Sequence, residues 1–325
     1  MGVTVADLAL AVDLGGTKVE TALVDASGAI VSGSRHRLPT GRAAQPDEFA
    51  GALSRSIRRT LAVVPADSTL IGAGVGSAGP IDLARGSVSP KNLPALAGFE
   101  LRDVVARALR DLPVQLRLDG TCIALAEHWL GAAVGAANSM SMVVSTGVGG
   151  GLVIGDRLVS GRSGNAGHIG QIHVAGFSEA SSSADSTTLE AIASGTSAVA
   201  WARRLGWTGH SGEDLAGSCA AGDATAWKAV RRSAAAVGQA IASATTLLDL
   251  EVVAIGGGFS LVVPGYVDLV RAAALDATVF DYARTVRVEP AHLGADAPLL
   301  GAAALIHRSE MARSDPPASD LVSVR

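Results

Sequence analysis

The sequence has little cysteine and no long apolar run. Its two cysteines, Cys122 and Cys219, are too few for a disulfide framework or a cysteine zinc site, and they favour a reducing cytoplasm. No apolar stretch reaches the roughly 20 residues of a membrane helix, and the N-terminus has no basic segment followed by a long apolar one. These absences predict a cytoplasmic protein with no membrane partner and no signal peptide.

Excess positive charge and the common nucleotide-binding patterns are missing too. The formal net charge is −4, which provides no basic field for nucleic acid. The sequence contains no G-x-x-x-x-G-K-[ST], and no G-x-G-x-x-G opens a helix within a βαβ unit. P-loop and Rossmann binding modes are therefore excluded, whereas 325 residues are enough for two α/β lobes.

The most informative segment that is present is a glycine turn near the start of the chain. Apolar residues 8–12 predict a buried strand before it, and residues 19–25 predict a second strand after it. Glycines let backbone amides approach an anion, a threonine adds a hydroxyl, a lysine adds charge, and an aspartate at the strand end can hold hydrated Mg²⁺. For this segment alone an ordinary glycine hairpin explains the pattern equally well. The candidate phosphate and Mg²⁺ ligands are Asp13, Gly15, Gly16, Thr17 and Lys18.

Two further strand–glycine turns repeat this design, one within residues 144–151 and one after residues 252–254. Three such turns in one chain suggest two related halves that close around a nucleotide. The candidate phosphate ligands of the second turn are Thr146, Gly147 and Gly149, and the candidate adenosine ligands of the third are Gly256, Gly257 and Gly258.

Together with these turns, several other motifs make the sequence resemble the ROK family (repressor, open reading frame, kinase) of sugar kinases. That family lies within the actin-like ATPase superfamily, and the similarity covers nearly the whole chain. Any one motif is a weak signal, whereas the combination is strong. The motifs lie at residues 13–18, 77–82, 92–94, 118–127, 146–151, 161–171, 189–195 and 256–258.

The resemblance implies an α/β, two-lobed actin-like ATPase fold of the ribonuclease H-like type, with nucleotide and sugar in the cleft between the lobes. It assigns residues 1–118 and about 300–312 to a small N-terminal lobe, and residues 119–299 to a larger C-terminal lobe. Polar composition predicts a surface loop at 181–186 and a disordered tail at 313–325. The family also implies ATP, Mg²⁺ and a homodimer.

Phosphoryl transfer needs charge neutralisation on the phosphates and a base for the attacking hydroxyl. Asp119 is the candidate base because it lies where a strand at 113–118 meets a helix at 121–135. From position alone, a helix-capping role for Asp119 is an equal alternative, and the resemblance favours the base. The family implies transfer of the γ-phosphate of ATP to a hexose or amino-hexose hydroxyl, at O6.

The resemblance also implies a set of sugar contacts, three of which depart from the family pattern. Leu118 stands where the family has an asparagine, His168 where it has a glutamate, and Gln171 where it has a histidine that also binds zinc. Glu190 matches a sugar-binding glutamate, and a carboxylate favoured by the helix dipole is the alternative. The implied sugar-contacting residues are Gly79, Asn92, Leu118, Asp119, His168, Gln171 and Glu190.

The family's cysteine-rich zinc segment is absent as well, because residues 175–188 contain no cysteine. The sequence therefore predicts no structural zinc. Packing or hydrogen bonds, with Gln171 as a candidate donor, must then hold this segment.

The altered sugar contacts favour a modified hexose over glucose. The candidates are N-acetylmannosamine, kanosamine (3-amino-3-deoxyglucose) and glucose. A catalytically inactive sugar sensor is the non-enzyme alternative, and a lost catalytic aspartate or broken phosphate glycines would favour it; neither is seen. Because the first strand begins about eight residues into the chain, no DNA-binding helix-turn-helix is expected before it.

Overall fold

Two five-stranded sheets and the helices around them form the computed structural model, which describes residues 6–41, 45–177 and 187–312. The predicted surface loop at 181–186 and tail at 313–325 lie outside the described residues. The strands are β1 (Ala6–Leu14), β2 (Lys18–Asp25), β3 (His36–Pro39), β4 (Ser68–Ser77), β5 (Ile81–Asp82), β6 (Ser87–Val88), β7 (Val114–Leu118), β8 (Ser139–Val144), β9 (Val148–Ile154), β10 (Arg157–Leu158), β11 (Val252–Gly256) and β12 (Arg287–Pro290). The helices are α1 (Pro46–Leu61), α2 (Leu101–Leu109), α3 (Asp119–Leu130), α4 (Leu189–Ala193), α5 (Gly195–Arg204), α6 (Gly212–Ala220), α7 (Ala224–Leu248), α8 (Tyr266–Ala277), α9 (Ala297–His307) and α10 (Ser309–Ala312).

The two large sheets share one topology. The first has the order β3-β2-β1-β4-β7, and the second has the order β10-β9-β8-β11-β12. In each sheet the first three strands of that order pair antiparallel, and the last two join in parallel. This repeated pattern confirms the predicted α/β fold and agrees with two related halves.

The side chains of β1 explain how the first sheet is covered on both faces. Because successive side chains of a strand point to opposite faces, Leu10 and Val12 join a core with α1, whereas Ala11 joins a core with α9. The alanine face lets α9 come close, since a Cβ on Gly74 of β4 would lie 1.6 Å from the carbonyl oxygen of Ala302. A helix from near the end of the chain therefore packs directly on the first sheet.

Helix α3 lies between the two sheets. It packs against α9 and against β8 and β9 of the second sheet. The contact with α9 is also backbone to backbone, because a Cβ on Gly301 would lie 1.8 Å from the carbonyl oxygen of Cys122. Since α3 contacts elements on both sides, the division of the chain into lobes at residues 118 and 300 stays a prediction.

The bounds of α3 differ from the helix expected at 121–135. The helix begins at Asp119 and ends at Leu130. It ends there because the buried Glu127 carboxylate accepts the amide proton of Ala132 at 2.8 Å, which turns the chain back over the last helical turn. Glycine at the C-cap, Gly131, allows that turn: a Cβ there would lie 2.0 Å from the Glu127 carboxylate.

The longest helix of the described part of the chain is α7, with 25 residues, and its buried face is rich in alanine. Neither α7 nor any other helix within residues 6–41, 45–177 and 187–312 combines the length and apolar character that crossing a membrane requires.

Candidate active site

Asp119 is the first residue of α3 and follows directly on the last residue of β7. The N-cap position belongs to Leu118, and the Asp119 carboxylate accepts the amide proton of Gly120 at 2.7 Å. Burial raises the pKa of Asp119 to about 6, although backbone N–H groups at the helix start oppose the rise. A carboxylate with that pKa is ionised at neutral pH and can accept a proton.

Close backbone packing fixes where Asp119 lies. A Cβ on Gly120 would lie 2.5 Å from the carbonyl oxygen of Gly150, and a Cβ on Gly151 would lie 2.4 Å from the carbonyl oxygen of Gly120. Backbone atoms cannot move aside as side chains can, so these contacts require glycine. They place the first turn of α3 against β9, the strand that follows the second glycine turn.

The end of β1 contributes a second carboxylate to the same space. Asp13 pairs in register with Gly76 of β4, and a Cβ on Gly76 would lie 3.5 Å from its carboxylate oxygen. Burial, the largest cause, and the charges of Asp119 and Glu20 together raise the pKa of Asp13 to about 7, although Lys18 opposes the rise. The effect of Asp119 shows that the two aspartates lie within electrostatic reach of each other.

The residues present fit a magnesium ion. Carboxylate oxygens are the ligands that Mg²⁺ prefers, and one or two carboxylates suffice because the ion keeps several waters. The carboxylates of Asp13 and Asp119 repel each other when both are ionised, and a divalent cation held by them would relieve that repulsion. When bound, Mg²⁺ would neutralise phosphate charge.

The first glycine turn is a tight hairpin between β1 and β2. The amide of Gly15 donates to the carbonyl oxygen of Lys18 at 2.9 Å, and Thr17 is exposed at the tip. Asn92, from a loop distant in sequence, lies beside this turn: a Cβ on Gly16 would lie 3.2 Å from the Asn92 amide nitrogen. The structure therefore brings a predicted sugar contact beside the predicted phosphate turn.

Lys18 is engaged by a carboxylate that sequence reasoning missed. Glu20 is 2% exposed and pairs with Lys18, with Arg35 at 3.1 Å and with Arg37 at 3.0 Å. Burial alone would raise the pKa of Glu20, but hydrogen bonds from these three cations hold it below its usual value. Arg35 also reaches Asp296 at the start of α9, at 2.5 Å. Charge pairs therefore join the first glycine hairpin to the start of α9.

The second glycine turn joins β8 to β9 and packs against Glu190 of α4. The amide of Ser145 donates to the carbonyl oxygen of Gly147 at 2.8 Å. The Glu190 carboxylate accepts the amide proton of Val148 at 2.9 Å, and a Cβ on Gly147 would lie 2.6 Å from that carboxylate. Thr146 is exposed, and Gly149 has open space where a Cβ would be. A predicted sugar contact is again beside a predicted phosphate turn.

The third glycine turn follows β11 and opens on a cavity of about 390 Å³. Gly257 has φ +95°, and a Cβ there would lie 2.6 Å from the carbonyl oxygen of Val144, so this position requires glycine. Gly258 is nearby, 3.7 Å from the Ser145 hydroxyl when measured from its Cβ position. The cavity is also lined by the start of α5, where Gly195 ends the motif at 189–195, and by residues outside the motifs: residues 210–213, Phe259, Leu261 and Val262.

Three predicted sugar contacts from different parts of the chain meet at Gly79. A Cβ on Gly79 would lie 2.5 Å from a methyl carbon of Leu118 and 3.3 Å from Nε2 of His168. Partial burial lowers the pKa of His168, the positive charge of Lys91 lowers it further, and Glu190 opposes the change. The imidazole is therefore neutral at physiological pH, with one donor and one acceptor.

Gln171 hydrogen-bonds to Glu190, since its amide nitrogen donates to the carboxylate at 3.2 Å. Beyond it, the two ends of the segment around residues 178–186 are joined: the amide of Leu189 donates to the carbonyl oxygen of Ile172 at 2.8 Å. The His173 ring also lies 2.6 Å from the Thr187 hydroxyl. Hydrogen bonds thus join both sides of the segment that the family holds with zinc.

Arg232 of α7 contributes further bonds at this place. Its guanidinium donates to the carbonyl oxygens of Phe177 at 2.9 Å and Ile192 at 3.1 Å. It also lies over the rings of Phe177 and Trp201, 5.7 Å and 5.2 Å from their centres. Among residues 6–41, 45–177 and 187–312, no group of three or more His, Cys, Asp or Glu could hold a metal ion. The absence of zinc stays a prediction.

Asn165 is a further residue that the sequence did not single out. It lies in the loop after β10, and its side chain bonds to the backbone of Ile81 in β5, across from that loop. The only sequence signal was its place inside the motif at 161–171.

Comparison with known proteins finds matches over nearly the whole chain. The model of the ROK family matches residues 9–309. An N-acetylmannosamine kinase of Yersinia pestis (strain Pestoides F) is 36% identical over 297 residues, which cover 90% of this chain and 96% of the relative. A ROK hexokinase of Thermus thermophilus has a TM-score of 0.80 at 32% identity, covering 93% of this chain and 99% of its own. A ROK glucokinase of Streptomyces griseus, solved with glucose and AMPPNP, has a TM-score of 0.75 at 26% identity, with the same coverage of both chains.

Proposed function

The chain belongs to the ROK family, and on this premise we propose that it is an ATP-dependent sugar kinase that phosphorylates O6 of an amino- or N-acetylamino-hexose. The observation that carries the proposal is the pair of carboxylates, Asp13 and Asp119, at the ends of β1 and β7. One glycine turn that can approach phosphates follows Asp13, a second precedes β9, on which the first turn of α3 packs, and Thr146 and Gly258 line a cavity of about 390 Å³.

Asp119 acts as the base in this proposal. It takes the proton of the sugar hydroxyl while the hydroxyl oxygen bonds to the γ-phosphorus, and the bond between that phosphorus and the leaving oxygen of ADP breaks in line. The backbone amides of the turns at 15–17 and 146–149 donate to phosphate oxygens. Asp13 would hold the Mg²⁺ that neutralises phosphate charge, and the adenosine would occupy the cavity that Gly258 lines, next to Gly256 and Gly257 in the chain.

The altered contacts around Gly79 support the proposed substrate class. A neutral His168 can accept a hydrogen bond from an amine or an amide N–H as well as from a hydroxyl, so it suits a sugar that carries nitrogen. Leu118 provides no polar partner, so a hydroxyl against it would lose a hydrogen bond. The similarity to an N-acetylmannosamine kinase makes N-acetylmannosamine the first sugar to test.

A coupled assay of ADP formation tests the proposal. Purified protein with Mg²⁺ and ATP is given a panel of hexoses, amino hexoses and N-acetyl hexosamines, and Asp119→Asn is the matched control that should lose activity on every sugar. Phosphorus-coupled NMR of the product identifies the phosphorylated hydroxyl. If no sugar stimulates ADP formation while calorimetry still detects sugar binding, the enzyme proposal fails and the sensor alternative replaces it.

A further inference from the structure

The side chain of Asn165 makes the same pair of backbone hydrogen bonds to β5 that a neighbouring strand would make. Its amide oxygen accepts the backbone N–H of Ile81 at 2.9 Å, and its amide nitrogen donates to the carbonyl oxygen of Ile81 at 2.8 Å. Both polar backbone groups of one residue are thus satisfied by one side chain. Aspartate or leucine at position 165 would have a similar size but could not make both bonds, because neither offers a donor and an acceptor together at neutral pH.

Packing beside this pair is equally close. Gly164 precedes Asn165 and has φ +88°, and a Cβ on Gly164 would lie 2.4 Å from Cγ of Leu83. The loop at 161–168 is therefore seated against the β5 hairpin, which belongs to the part of the chain between β4 and β7. The loop itself follows β10 of the second sheet, so the contact joins segments from the two halves.

Both partners of this contact lie next to predicted sugar contacts. Ile81 is two residues after Gly79, and Asn165 is three residues before His168. His168 in turn lies against Gly79, with Nε2 3.3 Å from the Cβ position. A shift of the loop relative to β5 would move the imidazole relative to Gly79 by a similar amount.

We propose that Asn165 is a positioning residue of the sugar site, and that its two bonds to Ile81 hold His168 against Gly79. The statement about sugar rests on the proposed function, whereas the statement about the position of His168 does not. Asn165 acts through His168, and no contact of Asn165 with substrate is required.

Two variants test this. Asn165→Ala removes both bonds, and Ser163→Ala is the control, since Ser163 is the exposed local neighbour whose hydroxyl lies 3.3 Å from the same amide nitrogen. For Asn165→Ala we expect the KM for the sugar to rise by about tenfold, with kcat and the KM for ATP within about twofold of wild type. Ser163→Ala should behave as wild type. A rise shared by sugar KM, ATP KM and kcat would indicate general damage and overturn the proposal.

A second measurement does not depend on activity. The titration of His168 is followed by NMR, and the variant His168→Gln is used to assign its signal. The groups facing the imidazole are Lys91 and Glu190, and burial against the neighbouring segment holds its pKa below the ordinary value. In Asn165→Ala the pKa should rise toward about 6.5.

The two measurements separate the possible failures. If wild-type protein phosphorylates no sugar, the proposed function fails, and the His168 titration still decides whether Asn165 positions the imidazole. An unchanged titration in Asn165→Ala overturns the proposal even if sugar KM changes. If thermal melts show that Asn165→Ala does not fold, Asn165→Ser, which keeps one donor and one acceptor, should give a smaller shift in the same direction, and no shift would count against it.

Discussion

At the scale of single residues, Asp13 and Asp119 both lower the stability of the folded state, and both favour the proposed chemistry. Their raised pKa values come first from burial, and the charge of Asp119 adds to the effect on Asp13. Buried like charges destabilise the folded state, but they favour binding of a cation and acceptance of a proton. Each consequence can be measured separately.

Replacing the base is the direct test of catalysis. Asp119→Asn keeps the size of the side chain and removes its ability to accept a proton, so turnover should fall by ~10²-fold or more. Nucleotide binding by calorimetry should stay close to wild type, and the melting temperature should not fall, because asparagine removes a buried charge. Asp111→Asn, at an exposed position, is the control. Undiminished turnover in Asp119→Asn would remove this residue from the mechanism.

The pH dependence of stability tests Asp13. A carboxyl group whose pKa is raised on folding to about 7 stabilises the fold at pH values below its unfolded pKa, and this stability is lost as pH rises through about 7. Magnesium-free protein should therefore melt at a lower temperature at pH 8 than at pH 6. The difference should shrink in Asp13→Asn and on addition of Mg²⁺ to wild type. Equal pH dependence in wild type and Asp13→Asn, by scanning calorimetry, would contradict the assignment.

The substituted contacts around Gly79 predict specificity. The wild type should use N-acetylmannosamine or an amino hexose with a higher kcat/KM than glucose. The double variant His168→Glu with Gln171→His should shift the preference toward glucose by about tenfold, because an unpaired sugar hydroxyl costs ~1–3 kcal/mol. Competition kinetics with mixed sugars measure the ratio. If glucose is already the best substrate of the wild type, this interpretation of the pocket is wrong.

Residues inside motifs could be singled out from the sequence, whereas ordinary residues that the fold brings together could not. Gly79, Leu118 and His168 were named from separate motifs, and they meet in the structure. Glu20 lies just outside its motif and is recognisable only once Arg35 and Arg37 are placed beside it. Such pairings depend on distant segments, and neither composition nor periodicity encodes them.

At the scale of elements, the glycine turns could be predicted because local chemistry determines them. The end of α3 could not, since Glu127 bonds to Ala132 and also to the backbone of His292, which lies far away in the sequence. The sequence predicts a helix at 121–135, whereas the helix that forms ends at Leu130. The tertiary partner of a buried carboxylate decided where the helix stops.

Arg232 offers a prediction at the same scale. Arg232→Met leaves two carbonyl oxygens without their charged donor and should lower the free energy of unfolding by ~1–3 kcal/mol. It should also raise the KM for sugar, because α4 carries both Ile192 and Glu190. Urea denaturation measures the first effect. Arg231→Met is the control, since Arg231 lies over Trp227 on the same helix; equal losses in both variants would argue against a specific role for Arg232.

At the scale of the whole molecule, three glycine turns were enough to suggest the duplicated architecture. The common strand order of the two sheets agrees with that suggestion, and the fold class is confirmed. The packing of α9 on the first sheet could be expected only by resemblance, since nothing in an alanine-rich helix specifies its partner.

The zinc content of the whole protein can be predicted as well. Purified protein should contain no stoichiometric zinc, and chelators should not change its melting temperature, because the hydrogen bonds of His173, Thr187 and Arg232 hold the segment instead. Elemental analysis with and without EDTA measures both. One tightly held Zn²⁺ per chain, with unfolding on its removal, would overturn the prediction.

The glycine contacts between α3 and β9 have a consequence for how this protein can diversify. The position of Asp119 depends on backbone meeting backbone at Gly120, Gly150 and Gly151, so no choice of side chain at these sites can adjust it gradually. The groups around Gly79 are side chains, which can be exchanged one at a time. Saturation mutagenesis under selection for growth should therefore find two kinds of position. A few positions accept only glycine, whereas replacements at neighbouring positions change which sugar is used and leave the reaction unchanged. In such a protein, substrate specificity can change through single substitutions while the position of the catalytic group stays the same.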